Sequence, residues 1–148
     1  MAAEGPPPTK DAITCHILDT SLGRPARGVR VKLEGGGHAA AGAATGALKT
    51  FESQTDDDGR IKAWLASSDA TTAGDVPTYT LADVLGELDQ EGAESSTWTL
   101  RFFTEEYFGG RDKTFFPEVV VTFTVLRGQT YHVPLLLAPY SYSTYRGS

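Results

Sequence analysis

The sequence contains a single cysteine, Cys15, and it lacks a long hydrophobic segment, a stripe of basic residues and a glycine-rich phosphate loop. One cysteine cannot form an intramolecular disulfide or a thiolate metal cluster, and it fits a reducing compartment. No apolar run approaches the roughly 20 residues that a membrane-spanning helix needs. A net charge of −6 without a basic patch argues against nucleic acid as a partner. We therefore expect neither a membrane protein nor a nucleic-acid-binding protein.

The 148 residues are enough for one domain with a buried core. The first ten, MAAEGPPPTK, contain no apolar signal core, so we predict a disordered leader at 1–11 and a domain at 12–148. The predicted location is the cytoplasm. A peroxisomal location stays open, although the chain does not end in the Ser-Lys-Leu address.

Short strands separated by turns dominate the pattern. They are predicted at 13–19, 29–34, 50–55, 60–65, 96–104, 118–125, 129–137 and 140–144. A helix is predicted in TLADVLGELDQEG, with Thr80 as its cap and Gly92 at its end, and one helical turn is predicted after Thr104. Two segments, 35–49 and 66–79, are predicted to be loops, the first of them flexible. The fold class is therefore all-β, an antiparallel β-sandwich with a short helix.

Alternation of side chains along the strands places His16, Arg60 and His132 off the predicted core. The residues predicted to face the core on the same strands are Ile13, Cys15, Ile17, Ile61, Ala63, Leu65, Tyr131, Val133, Leu135 and Leu137. For each of these three residues taken alone, the simplest interpretation is an ordinary surface residue. A half-apolar outer face with two histidines, however, suggests a face that another subunit covers. We assign no role to His38.

Several kinds of chemistry are disfavoured by the same pattern. Cys15 precedes His16, but alternation points the two side chains to opposite faces, which argues against a Cys–His nucleophile pair. Two separated histidines lack an obvious third ligand, so no metal site is predicted, and no cofactor is expected. The chain also lacks a phosphate loop and the G-x-S-x-G nucleophile motif.

Several segments resemble transthyretin-related proteins. TCHILDT and GRPARGVRVKL resemble the opening of that family, TWTLRFFTEEYF resembles its strand followed by a short helix, and FFPEVVVTFTV and YHVPLLLAPYSYSTYRGS resemble its last three strands. The resemblance covers most of residues 12–148 and weakens at 35–49 and 66–95, where this chain carries longer loops. It implies a transthyretin-like β-sandwich.

The family has two branches, and the resemblance favours one of them. Transthyretin binds hormone in a channel between dimers, whereas 5-hydroxyisourate hydrolase acts in urate breakdown. The marks of the enzyme branch are a histidine on the first strand, an arginine after a turn, a histidine in the penultimate strand and a terminal Tyr-Arg-Gly-Ser. They match His16, Arg60, His132 and residues 145–148. Cys15 stands where the enzymes more often have threonine, but it faces inward.

The resemblance implies hydrolysis of 5-hydroxyisourate to 2-oxo-4-hydroxy-4-carboxy-5-ureidoimidazoline, in a homotetramer whose sites lie in the cleft between two dimers. The implied catalytic residues are His16, Arg60, His132 and Ser148, and the implied substrate-binding residues are Tyr145, Arg146 and Gly147. The histidines are acid/base candidates, with a preference for His132 as the base, because imidazole titrates near neutral pH. The arginines can orient the substrate or stabilise negative charge.

The terminal residues have further expected roles under the same resemblance. Ser148 offers a hydroxyl and, as the last residue of the sequence, a carboxylate. Gly147 would allow a tight turn into the cleft. Two alternatives stay open: a non-catalytic, transthyretin-like protein that binds a small hormone-type ligand, and a purely structural domain, which leaves the Tyr-Arg-Gly-Ser ending without a reason.

Overall fold

The computed structural model describes residues 10–36, 38–40, 43–45, 49–66 and 79–147, with the backbone alone at 38–40 and 43–45. The strands are β1 (Ile13–Asp19), β2 (Arg24–Pro25), β3 (Arg30–Gly35), β4 (His38–Ala40), β5 (Ala43–Thr45), β6 (Lys49–Gln54), β7 (Arg60–Ile61), β8 (Leu65–Ala66), β9 (Ser95–Phe102), β10 (Val119–Leu126), β11 (Tyr131–Ala138) and β12 (Ser141–Thr144). The helices are α1 (Leu81–Gln90) and α2 (Thr104–Phe108), and a 3-10 turn follows at Arg111–Lys113.

Two five-stranded sheets enclose the core. The first has the order β12-β11-β1-β2, with β7 also paired to β1, and the second has the order β10-β9-β3-β6-β8. Buried apolar residues of both sheets form one cluster, in which the largest fully buried side chains include Trp98, Phe51, Phe102, Leu33 and Leu135. The predicted two-sheet sandwich is confirmed. Burial alternates strictly along β1, where every second residue, from Ile13 to Asp19, is buried.

One central strand pair differs from the antiparallel prediction. β1 and β11 run parallel, with Ile13 opposite Tyr131 and Thr14 opposite His132. The other ladders between described strands are antiparallel. The alternating pattern that revealed these strands has the same period of two in both kinds of ladder, so it could not reveal their direction.

The predicted strand at 60–65 is wrong, because the chain crosses there from one sheet to the other. β7 pairs with β1 in the first sheet and β8 pairs with β6 in the second. Ile61 faces the core as predicted, but Ala63 is exposed and Leu65 is 76% exposed. Trp64 is buried in their place, and its indole Nε1 donates a hydrogen bond to the Ile13 carbonyl at 2.8 Å.

The predicted flexible loop at 35–49 is also wrong in part. β4 and β5 pair as a short antiparallel hairpin, and β3 extends to Gly35. A side chain on Gly35 would collide with the Trp98 ring, so this glycine permits close packing. Most of the second predicted loop, 67–78, lies outside the described residues, as does the predicted leader at 1–9. Asp11 is tied to the fold, because its amide donates to the Lys62 carbonyl at 2.7 Å.

The two helices differ in how they begin. Thr80 caps α1 as predicted, because its side chain accepts from the Asp83 amide while the Asp83 carboxylate accepts from the Thr80 amide. Gly92 follows the helix with a φ of +83°. Thr104 does not cap α2 but is its first residue, and its hydroxyl donates to the Phe116 carbonyl at 2.5 Å. In the described part of the chain, no helix is long and apolar enough to cross a membrane.

A buried carboxylate fastens the end of β1 to α2. Asp19 is 2% exposed, and its carboxylate accepts from the amides of Ser21 and Leu22, from the Ser21 hydroxyl and from the Tyr107 hydroxyl, the last at 2.7 Å. Burial alone would raise the pKa of Asp19, but the hydrogen bonds from Tyr107 and its neighbours outweigh it and lower the pKa. Burial, followed by the bond to Asp19, raises the pKa of Tyr107 to about 12.

We expect Tyr107→Phe to lower the free energy of unfolding by about 1.5–3 kcal/mol at neutral pH, the usual worth of a hydrogen bond to a charged group. A lowered carboxyl pKa contributes stability above the unfolded-state value of about 3.9, and this stability is lost as the pH falls through the folded-state value. Urea denaturation of both proteins from pH 7 down to pH 3 measures the effect. The gap between the two proteins should narrow with acid, and a gap independent of pH would contradict the role of the ionised carboxylate.

Candidate active site

Three predicted site residues lie together on the outer face of the first sheet. β7 pairs with β1 so that Arg60 stands opposite His16. On the other side of β1, the parallel pairing with β11 places Thr14 opposite His132. The two imidazole ring centroids are 6.1 Å apart, and both side chains are half-buried. The structure thus brings His16, Arg60 and His132 into one patch. Alternation along the strands had predicted that all three side chains lie off the core.

The turn before β7 fixes Arg60 beside β1. The Asp56 carboxylate accepts hydrogen bonds from the amides of Asp58 and Arg60, at 2.9 and 3.0 Å. Gly59 has a φ of +74°, and a Cβ there would lie 2.5 Å from the Ile17 carbonyl oxygen. Only glycine suits this position, because it combines a left-handed backbone with a close approach to β1. The turn DDDGR therefore presents the arginine to the neighbouring histidine.

The electrostatic environment favours neutral imidazoles. Burial, and then the charge of Arg60, lower the pKa of His16, while a hydrogen bond to the backbone of Asp58 acts in the opposite direction. Burial likewise lowers the pKa of His132, followed by the charges of Arg60, His16 and Lys10. Since the ordinary histidine pKa is about 6.5, both rings are uncharged at neutral pH and have a nitrogen able to accept a proton.

The C-terminal segment reaches this patch through Gly147. Its amide donates to the His132 carbonyl at 2.8 Å in an isolated antiparallel bridge. A Cβ at this position would lie 3.0 Å from Cδ2 of His132 and 3.1 Å from its carbonyl oxygen. The expected tight turn is not what requires glycine here, because Gly147 lacks a left-handed backbone. The lack of a side chain permits contact with the edge of the imidazole instead.

The Arg146 side chain lies against Tyr131, the residue that precedes His132. Its guanidinium lies 4.6 Å from the ring centroid of Tyr131, and Nη2 donates to the Gln129 side chain at 3.4 Å. Tyr131 is a core residue, 8% exposed. Arg146 and Tyr145, which is 59% exposed, line a cavity of about 380 Å³ together with His132. Ser148 lies outside the described residues.

One polar contact in the patch was missed by the sequence prediction. The Thr14 hydroxyl oxygen is 2.8 Å from Nδ1 of His132. Alternation had placed Thr14 on the outer face, but its proximity to His132 depends on the parallel register of β1 and β11. No group of three or more His, Cys, Asp and Glu side chains within the described ranges is arranged to hold a metal ion.

The comparison with known proteins gives the family. The model of the HIUase/Transthyretin family matches residues 13–147. The chain therefore belongs to the HIUase/Transthyretin family. A relative from Schizosaccharomyces pombe, named probable 5-hydroxyisourate hydrolase, is 36% identical over 149 aligned positions that cover 100% of both chains. The 5-hydroxyisourate hydrolase of Salmonella typhimurium is 37% identical over 138 positions, covering 92% of this chain and 80% of the relative.

Solved structures agree with this assignment. The 5-hydroxyisourate hydrolase of Klebsiella pneumoniae superposes with a TM-score of 0.54 at 28% identity, covering 92% of this chain and 98% of that one. Sea bream transthyretin in complex with thyroxine gives a TM-score of 0.58 at 21% identity, covering 93% and 95%. The second similarity bears on the fold alone. Both branches of the family thus share this sandwich, so the fold does not tell the enzyme from the binding protein. That distinction depends on the residues of the site.

Proposed function

We propose that this protein is a hydrolase that opens 5-hydroxyisourate to 2-oxo-4-hydroxy-4-carboxy-5-ureidoimidazoline in urate degradation. The observation that carries the proposal is the pair of imidazoles, 6.1 Å between ring centroids, beside Arg60, whose backbone is paired opposite His16. This combination supplies proton acceptors and a positive charge on one open face, as hydrolysis of a ring amide requires. The names of the relatives in Schizosaccharomyces pombe and Salmonella typhimurium support the same activity.

In the proposed reaction, His132 acts as the general base. A water molecule attacks a ring carbonyl carbon of the substrate, and its oxygen forms the new C–O bond while one of its protons passes to the imidazole. Collapse of the tetrahedral intermediate breaks the C–N bond, and the leaving nitrogen receives that proton. His132 is thereby returned to its neutral form. His16 assists from the neighbouring strand by hydrogen bonding to the water or to the substrate.

Arg60 has an electrostatic role in this scheme. A guanidinium does not lose its proton at working pH, so it cannot act as the base. It can hold a substrate carbonyl and stabilise the oxyanion that develops when water attacks. After burial, its charge is the next cause that lowers the pKa of His16 and of His132. Ser148 stays a proposed catalytic residue, and Tyr145, Arg146 and Gly147 stay proposed substrate-binding residues; Tyr145 and Arg146 line a cavity together with His132.

We also propose a homotetramer, a dimer of dimers, with the site in a cleft between subunits. β10 and β12 are edge strands at corresponding ends of the two sheets, and such edges readily pair with another chain. Large aromatic side chains on or near β12 are exposed: Tyr140 at 72%, Tyr142 at 40% and Tyr145 at 59%. Sedimentation velocity at working concentration should give a tetramer, whereas a clean monomer would contradict the cleft. The cytoplasmic location expected from the sequence is likewise kept as a proposal.

The acid side of the pH profile follows from the lowered histidine pKa values. We expect the rising limb of kcat/KM to have an apparent pKa below 6.5, because a base must be neutral to accept a proton. Arg60→Gln should move this limb to higher pH, because it removes a positive charge that, after burial, lowers the pKa of both histidines. Initial rates from pH 5 to pH 9 measure both effects. A limb that stays in place in Arg60→Gln would contradict the electrostatic role of Arg60.

The direct test is to add purified protein to freshly prepared 5-hydroxyisourate and to follow the decay of its absorbance. The substrate also decays spontaneously, so heat-denatured protein provides the background. We expect the native protein to accelerate the decay in proportion to its concentration. Decay at the background rate would refute the proposed function and leave the hormone-type binding protein as the alternative.

A further inference from the structure

Thr14 occupies a position from which it can fix the proton of His132. Its hydroxyl oxygen lies 2.8 Å from Nδ1 of the imidazole and 3.4 Å from the backbone carbonyl oxygen of Tyr131. Both partners belong to β11, and the parallel register holds Thr14 directly opposite His132. The threonine is half-buried, so the hydroxyl has restricted access to water as an alternative partner.

Counting protons distinguishes two arrangements. A threonine hydroxyl has one proton to donate and two lone pairs that accept. If the hydroxyl donates to the Tyr131 carbonyl, it can accept from Nδ1–H of His132, and both contacts are hydrogen bonds. If it donates to Nδ1 instead, the contact with the Tyr131 carbonyl is lost. The first arrangement makes one more hydrogen bond, although the bond to Tyr131 is long at 3.4 Å.

We infer that Thr14 is a positioning residue that holds the neutral His132 as the Nδ1–H tautomer, with the unprotonated Nε2 directed to the substrate side. The inference rests on the proposed function only for its catalytic consequence. A general base needs a free lone pair on the nitrogen that faces the water. The hydrogen bond made by the other nitrogen determines which of the two nitrogens carries the proton. Thr14 would thus act on the reaction through His132, without touching the substrate.

The groups around His132 do not offer a competing fixed partner for Nδ1. The charges that act on the ring are those of Arg60, His16 and Lys10, and all of them disfavour an added proton. Gly147 contacts the carbon edge of the ring at Cδ2 and its own amide bonds to the backbone carbonyl of His132. Within the described part of the chain, the Thr14 hydroxyl is the hydrogen-bond partner of the His132 imidazole nitrogens.

The first measurement reads the tautomer without reference to activity. In ¹⁵N-labelled protein at about pH 8, above the ordinary histidine pKa, Nδ1 of His132 should give the chemical shift of a protonated nitrogen and Nε2 that of an unprotonated one. Thr14→Val keeps the shape and removes the hydroxyl, and it should shift the ring toward the Nε2–H form. A proton on Nε2 in the wild-type protein, or an unchanged tautomer in Thr14→Val, would overturn the inference.

The second measurement compares turnover among matched variants. Thr14→Val should lower kcat about tenfold or more, part of the roughly 10²–10⁴ that positioned proton transfer supplies, with KM little changed. Thr14→Ser keeps the hydroxyl and should restore most of kcat. Thr20→Val is the control, because Thr20 on the same side of the β1–β11 ladder also bonds a β11 carbonyl, that of Leu137, but has no imidazole partner.

The outcomes separate this inference from the proposed function. Wild-type protein that fails to accelerate the decay of 5-hydroxyisourate would refute the function, and the NMR measurement would still test the tautomer. Wild-type protein that turns over normally, together with a Thr14→Val variant of equal kcat, would refute the role of Thr14 alone. A loss of kcat in Thr20→Val equal to that in Thr14→Val would show that the effect comes from the strand pair and would also refute it.

Discussion

Replacing His132 with alanine is expected to lower the turnover of 5-hydroxyisourate roughly 10²–10⁴-fold, the usual contribution of a positioned acid/base group. The fold should survive, because the ring lies half-buried on the outer face of the sheet and the core cluster does not include it. Steady-state rates of both proteins, each paired with a thermal melting curve, measure the effect. Full turnover in the variant would remove His132 from the mechanism.

His16→Ala and Arg60→Ala should each lower turnover by orders of magnitude for related reasons. His38→Ala and Arg27→Ala are the controls. His38 is the one histidine of the three in the sequence that has no predicted role, and Arg27 is an exposed arginine whose guanidinium lies 3.5 Å from the Asp57 carboxylate. Neither control should change the rate. If His38→Ala is as damaging as His132→Ala, the assignment of faces and roles is wrong.

Deletion of residues 145–148 should remove most of the activity and lower the melting temperature by only a few degrees. The described contacts that would be lost include the Gly147 amide bond to His132, the stacking of Arg146 on Tyr131 and the long hydrogen bond from Arg146 to Gln129. A hydrogen bond contributes about 0.5–1.5 kcal/mol and an exposed cation–π contact about 0.5–1 kcal/mol, a small part of a typical stability of about 5–15 kcal/mol. Full activity in the truncated protein would show that this segment has no part in the site.

Gly147→Ala tests the same segment with a single methyl group. The added Cβ would lie 3.0 Å from Cδ2 of His132 and 3.2 Å from Cγ of Pro134, so the ring or the segment must shift by a few tenths of an ångström. We expect reduced kcat with a nearly unchanged melting curve. Gly128→Ala does not serve as a control, because Gly128 has a φ of +78° and an alanine there would be strained. Gly86→Ala is suitable, since Gly86 in α1 has open space around its Cα.

The sequence correctly predicted which side chains face the core wherever a strand is continuous. Along β1 and β11, alternation correctly separated His16 and His132 from Cys15 and Val133, because burial alternates strictly along β1 and departs from alternation in β11 only at the buried Pro134. It failed between 60 and 65, where the chain leaves one sheet for the other within three residues. A crossing of this kind depends on where the core can accommodate the Trp64 side chain. The space available there is determined by how the two sheets pack.

The candidate site was predictable in its residue types but not in its contacts. His16, Arg60 and His132 were found together, whereas Thr14 was missed because its contact requires the register of a parallel pair. Arg146 was predicted to bind the substrate; its guanidinium stacks on Tyr131, and it lines a cavity together with His132. The direction of a long arginine side chain depends on the aromatic surface available to it, and the motif Tyr-Arg-Gly-Ser alone does not contain that information.

The most direct test of the proposed hydrolase counts turnovers. Freshly prepared 5-hydroxyisourate in large excess over protein subunits is mixed with wild-type protein and, in parallel, with His132→Ala, and the spontaneous decay is subtracted. We expect the wild-type protein to consume many equivalents of substrate per subunit at a constant initial rate, and His132→Ala to remain close to the background. Consumption of no more than one equivalent per subunit by the wild-type protein would indicate a binding protein and would contradict the proposed enzyme.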